Sequence, residues 1–79
     1  AELDEALARL DRGSRTGPWT LDLLRRIDRQ PGTSARRLAE DLGMETLALK
    51  RKVRQLKAIG LTESLQTGYR LSPRGRDHL

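Results

Sequence analysis

A chain of 79 residues is long enough for one small domain, and its 35% hydrophobic residues, the bulky ones nearly all Leu, can supply a modest core. It has no Cys, which excludes a disulfide framework and a thiolate metal site, and no apolar run nears the roughly 18 residues of a membrane span. The net charge of +5 is unevenly spread: residues 1–30 balance six basic against six acidic side chains, whereas residues 31–60 carry seven basic and three acidic.

That excess suits a polyanionic partner for the middle of the chain. Trp19 and Tyr69 are its only aromatics, too few for a platform on which unpaired bases stack. No secretory signal is visible, so a cytoplasmic protein is expected. The first residue is Ala1 rather than an initiator Met, and a domain cut from something longer is expected.

Leu3, Ala6, Leu7 and Leu10 recur at helical spacing, with Asp4 and Glu5 near the start, where the macrodipole favours acids. They predict an N-terminal amphipathic helix over residues 1–12, followed by a linker over 13–17 rich in Gly and Ser. Three roles are open to this helix: packing on the domain, pairing with a second copy as a homodimer, or leading in from a further domain.

Pro18 suits the first turn of a second helix, since its missing N–H would be unpaired there. Trp19, Leu23, Leu24 and Ile27 mark the buried face of that helix, which runs to about Arg29 before Pro31 and Gly32 end it. Trp19 reads as a core anchor on this face. Thr33 or Ser34 can cap a third helix whose inner face is Leu38, Ala39 and Leu42, with Arg36, Arg37, Glu40 and Asp41 outside. Gly43 follows its last turn, where a left-handed residue allows a sharp reversal.

The next helix is crowded with positive charge. Lys50, Arg51, Lys52, Arg54 and Lys57 stand between Thr46 and Ala58 with no acid among them. Leu49, Val53 and Leu56 make a narrow inner stripe, so Leu47, Arg51, Arg54 and Ala58 fall on the opposite side, with Lys50 and Lys57 along one edge. Gly60 ends the helix and Leu61 returns to the core. Residues 61–65 and 69–71 are two short strand candidates around a tight turn at Gln66-Thr67-Gly68. Ser72 and Pro73 then cap and open a last short helix.

LAEDLG (38–43), the basic helix, AIGLTES (58–64) and GYRLSPRG (68–75), in this order, resemble the winged helix-turn-helix domains of bacterial transcription regulators. The resemblance covers about residues 18–79. It implies a mainly α fold with a small β-hairpin: a three-helix core plus a two-stranded wing. It also implies double-stranded DNA as the partner, in a transcription regulator or the DNA-binding module of a larger protein.

Carried over by position, Thr46, Leu47, Lys50 and Arg51 would sit where side chains reach base edges, and Arg51 and Arg54 would each contact guanine or grip a phosphate. Arg36 and Arg37 would lie near the backbone, Arg70, Arg74 and Arg76 would add phosphate contacts from the wing side, and Lys57 would belong to the same DNA-binding surface. Glu45 departs from the family pattern, standing where a small capping hydroxyl is usual. Leu47 departs from it too: an outward Leu suits a thymine methyl but also a protein interface. The hairpin tip is short and uncharged, which predicts a weak grip on the minor groove. The alternatives are a protein-interaction module that recruits a partner through Leu47, and a module that binds structured RNA.

No chemistry competes with these readings. His78 is the only histidine and forms no metal site alone; no nucleophile–His–acid set and no Gly-rich phosphate loop appear. No metal, cofactor or enzymatic activity is expected within these residues.

Overall fold

The computed structural model describes residues 2–15 and 17–79; Ala1 of the expected first helix and Thr16 of the expected linker lie outside them. The described residues form a mainly helical fold with an antiparallel hairpin: α1 (Glu2–Arg12), α2 (Thr20–Arg29), α3 (Ala35–Leu42), α4 (Thr46–Ala58), β1 (Thr62–Ser64), β2 (Tyr69–Leu71) and α5 (Pro73–His78). The core is Leu-rich, as composition requires. Leu23, Leu24 and Ile27 of α2 meet Leu38 of α3, Leu49, Val53 and Leu56 of α4, and Leu61, all almost fully buried. Each such side chain contributes roughly 1.5–3 kcal/mol when taken from water.

The apolar face of α1 is used within the chain: Leu7 is buried, and Leu3 and Leu10 pack against the same core. Its last turn also sets the start of α2, and here the sequence expectation is corrected. Pro18 lies outside the helix, which begins at Thr20 with Trp19 at the cap position. Trp19 offers no capping side chain. The cap comes from α1 instead: the Asp11 carboxylate accepts from the backbone N–H of Trp19 (2.8 Å) and of Thr20 (2.9 Å), and from the Thr20 hydroxyl (2.8 Å). An anion at this end is also favoured by the helix macrodipole.

Ser34 caps α3, its hydroxyl accepting from the Arg37 N–H at 3.2 Å. At its other end Gly43 adopts φ 66°, ψ 36°, and the Met44 N–H reaches back to the Ala39 carbonyl at 2.9 Å. This left-handed stop satisfies carbonyls that the helix leaves open and turns the chain within three residues into α4. Helix α4 ends in the same motif, with the Leu61 N–H donating to the Leu56 carbonyl at 3.1 Å.

The hairpin pairs Thr62 with Leu71, Glu63 with Arg70 and Ser64 with Tyr69. Its first strand is shorter than the expected 61–65, because Leu61 is occupied closing α4 and Leu65 enters the turn, where its N–H donates to the Gly68 carbonyl at 2.6 Å. The far edge of β2 meets the segment before α3: Thr33 bridges Tyr69, with the Gly32 N–H donating to the Tyr69 carbonyl at 2.7 Å. The start of α3 is thereby fastened beside the hairpin tip. Helix α5 opens as expected, with the Ser72 hydroxyl accepting from the Gly75 N–H at 3.0 Å and Pro73 in the first turn.

Candidate functional site

The outer half of α4 exposes Lys50, Arg51, Arg54 and Lys57 with no acid among them. Leu49, Val53 and Leu56 turn inward every three or four residues, so at about 100° per residue Leu47, Arg51 and Arg54 turn outward. Leu47 is 66% exposed. Lys50, Arg51, Arg54 and Lys57 are exposed and Thr46 is half-buried. Among the described residues, Lys50, Arg51 and Arg54 have no ion-pair partner.

Two adjoining clefts separate α4 from the hairpin. The first, about 410 Å³, lies between the starts of α3 and α4 and the hairpin tip, with Arg36, Thr46, Lys50, Gln66, Thr67 and Tyr69 in its wall. The second, about 340 Å³, continues along α4 past Lys50, Arg54 and Lys57 to Ser64 and Tyr69. No acidic residue lines either cleft. Lys57 is held across the second one, its Nζ donating to the Ser64 hydroxyl at 3.3 Å.

The fold therefore brings Arg36, Thr46, Lys50, Arg54 and Lys57 to one side of α4, with Leu47 on the crest beside them. Arg36 arrives there because the Thr33–Tyr69 bridge ties the start of α3 to the hairpin. Its guanidinium lies 3.5 Å from Glu40, an exposed pair worth at most about 1 kcal/mol that an incoming anion can displace.

The other expected residues lie apart. Arg37 faces Asp41 at 3.6 Å and lines neither cleft. Arg70 alternates with Tyr69 along β2, which puts it on the outer face of the hairpin, 2.8 Å from Glu63. Arg74 sits beside Gly60 in a separate groove with Leu3, Ala6 and Ala58. Arg76 is exposed on α5. Arg51 opens onto the other flank of α4, in a groove shared with α1.

Sequence reasoning missed Tyr69 and Ser64, which line the cleft walls opposite α4. The alternation of β2 groups Tyr69 with Leu71, but which face of the strand meets α4 is a tertiary fact. Glu45 takes the cap position of α4 in an extended conformation, and its side chain makes no capping hydrogen bond. The carboxylate thus adds only its charge at the positive end of the helix.

Among the described residues there is no group of three or more His, Asp or Glu side chains placed to hold a metal, and no helix is long and apolar enough to cross a membrane. No protein-family model matches the chain, and a search of curated proteins finds no match.

Proposed function

We propose that residues 18–79 form a winged helix-turn-helix, with α3 and α4 as its helix pair and the hairpin as its wing, and that α4 docks in the major groove of double-stranded DNA. The protein would act as a transcription regulator or as the DNA-binding module of a larger protein. Lys50, Arg51 and Arg54 carry this reading: three exposed cations on the outer half of one helix, without acidic partners, two of them facing clefts that hold no acid. A major groove about 12 Å wide admits such a helix. Lys50, Lys57 and Arg36 lie where they can meet phosphates beside the groove, Arg51 opens onto the opposite flank of α4, and Thr46, Leu47 and Arg54 supply whatever base discrimination exists.

The test is a salt titration of the purified chain on random-sequence duplex DNA, followed by fluorescence anisotropy. Micromolar binding with a log K against log salt slope of roughly −4 to −5, as four to six neutralised phosphates require, is the expected result. Absence of binding at low salt overturns it.

One observation favours a second reading. Leu47 is 66% exposed at the centre of the same face, and a large apolar side chain so placed suits a protein interface with a partner of acidic surface. Binding of duplex RNA in preference to DNA would instead point to recognition of shape and phosphate.

A further inference from the structure

The flank of α4 away from the hairpin holds a second basic groove, of about 430 Å³, formed with α1. Arg9 and Leu10 line one wall and Ala48, Arg51, Lys52 and Gln55 the other. Lys52 lies nearly half a turn of the helical wheel from Lys50 and Lys57, so cations stand on both flanks of α4. Neither Arg9 nor Arg51 has an ion-pair partner among the described residues, although Glu5 stands one helical turn before Arg9.

Lys52 is a fixed part of the wall rather than a free arm: its Nζ lies 4.3 Å from the centroid of the Trp19 ring. Two unpaired guanidiniums, 42 positions apart in sequence, are thus turned to one groove with no acid in its lining.

We propose that this α1–α4 groove binds a backbone phosphate of the DNA strand opposite the one met by the hairpin side, with Arg9 and Arg51 as its ligands. The inference rests on α4 entering a duplex groove. A helix in the major groove has a phosphate backbone along each flank, and the fold puts cations on both. Helix α1 then has a part in docking as well as in packing, and it widens the footprint by at least one phosphate.

The experiment compares Arg9→Ala, Arg9→Lys, Arg54→Ala and Arg29→Ala in salt titrations on random-sequence duplex DNA, each variant first checked for an unchanged melting curve. Arg29 is exposed on the α2–α3 side and controls for the loss of one positive charge as such. Arg9→Ala is expected to weaken binding several-fold and to reduce the slope by about 0.9, with Arg9→Lys restoring most of the slope and Arg29→Ala changing little. If Arg9→Ala behaves like Arg29→Ala while Arg54→Ala weakens binding, the α1 flank holds no phosphate and this inference falls, with α4 docking intact. If Arg9→Ala and Arg54→Ala both bind as the wild type does, α4 is not the DNA surface and both proposals fall.

Discussion

The Asp11 carboxylate accepts two hydrogen bonds from Thr20, one from its backbone N–H at 2.9 Å and one from its hydroxyl at 2.8 Å. One acid at the end of α1 thus caps the start of α2, and Thr20 is buried where the two helices meet. Asp11→Ala removes the cap and leaves the Thr20 hydroxyl without its partner. It should cost roughly 1–2 kcal/mol, lowering the melting temperature by about 4–8 °C per kcal/mol. An unchanged melting temperature would show that the α1–α2 junction does not depend on this acid.

The same contact makes part of the stability depend on acidity. Burial works to raise the Asp11 pKa, but the N–H groups of Trp19 and Thr20, the Thr20 hydroxyl and the Lys52 charge together outweigh it and hold the carboxyl below its ordinary value. A lowered folded pKa means that the unfolded chain binds the proton more readily. The contribution is therefore complete above the unfolded value, about 3.9, and is lost as pH falls through the folded one. The stability difference between wild type and Asp11→Asn, measured by urea unfolding, should stay constant from neutral pH down to that region and then shrink. A difference that grows on acidification would contradict the sign.

Gly68 is closely confined at the hairpin tip. A Cβ there would run into the backbone carbonyl of Thr33 and the oxygen of Gly32, neither of which can swing aside as a side chain would. Gly68→Ala should break the Thr33–Tyr69 bridge and cost about 1–3 kcal/mol, as overpacking does. Amide exchange supplies the site-specific readout, with the Gly32 and Tyr69 N–H groups losing protection before the core of α4 does. Equal protection in both proteins would mean that the tip yields without strain.

Arg37 and Arg70 were expected from sequence to join the binding surface, but their partners Asp41 and Glu63 and their positions set them apart from Lys50 and Arg54. Arg54→Ala and Lys50→Ala should each weaken duplex binding by more than Arg37→Ala or Arg70→Ala does, in parallel anisotropy titrations. Equal losses from all four would indicate attraction by net charge alone.

Leu47→Lys separates the two readings of the α4 surface. In a DNA-binding helix an added cation at this exposed position should preserve or raise duplex affinity, whereas an apolar protein interface should lose its partner. Because Leu47 contributes little to the core, the variant should melt within about 0.5 kcal/mol of wild type. A fold that collapses on this change would mean that Leu47 is structural after all.

The sequence by itself determined most of what acts within about one helical turn. The inner stripe Leu49, Val53 and Leu56, a cap at Thr33 or Ser34, the Ser72 cap, the reversal at Gly43 and the outward Lys50, Arg51 and Arg54 all follow from a 3.6-residue repeat, a hydroxyl near free N–H groups, or a left-handed glycine. Only the tertiary structure decided that Asp11 rather than Pro18 starts α2, and that Thr33 fastens α3 to the hairpin. It alone divided the cations of α4 between two grooves and turned Arg70 to the outer face of the hairpin. Those outcomes depend on which faces are buried together. Periodicity names the faces of an element, but the partner that covers each face is chosen by packing between residues far apart in the chain.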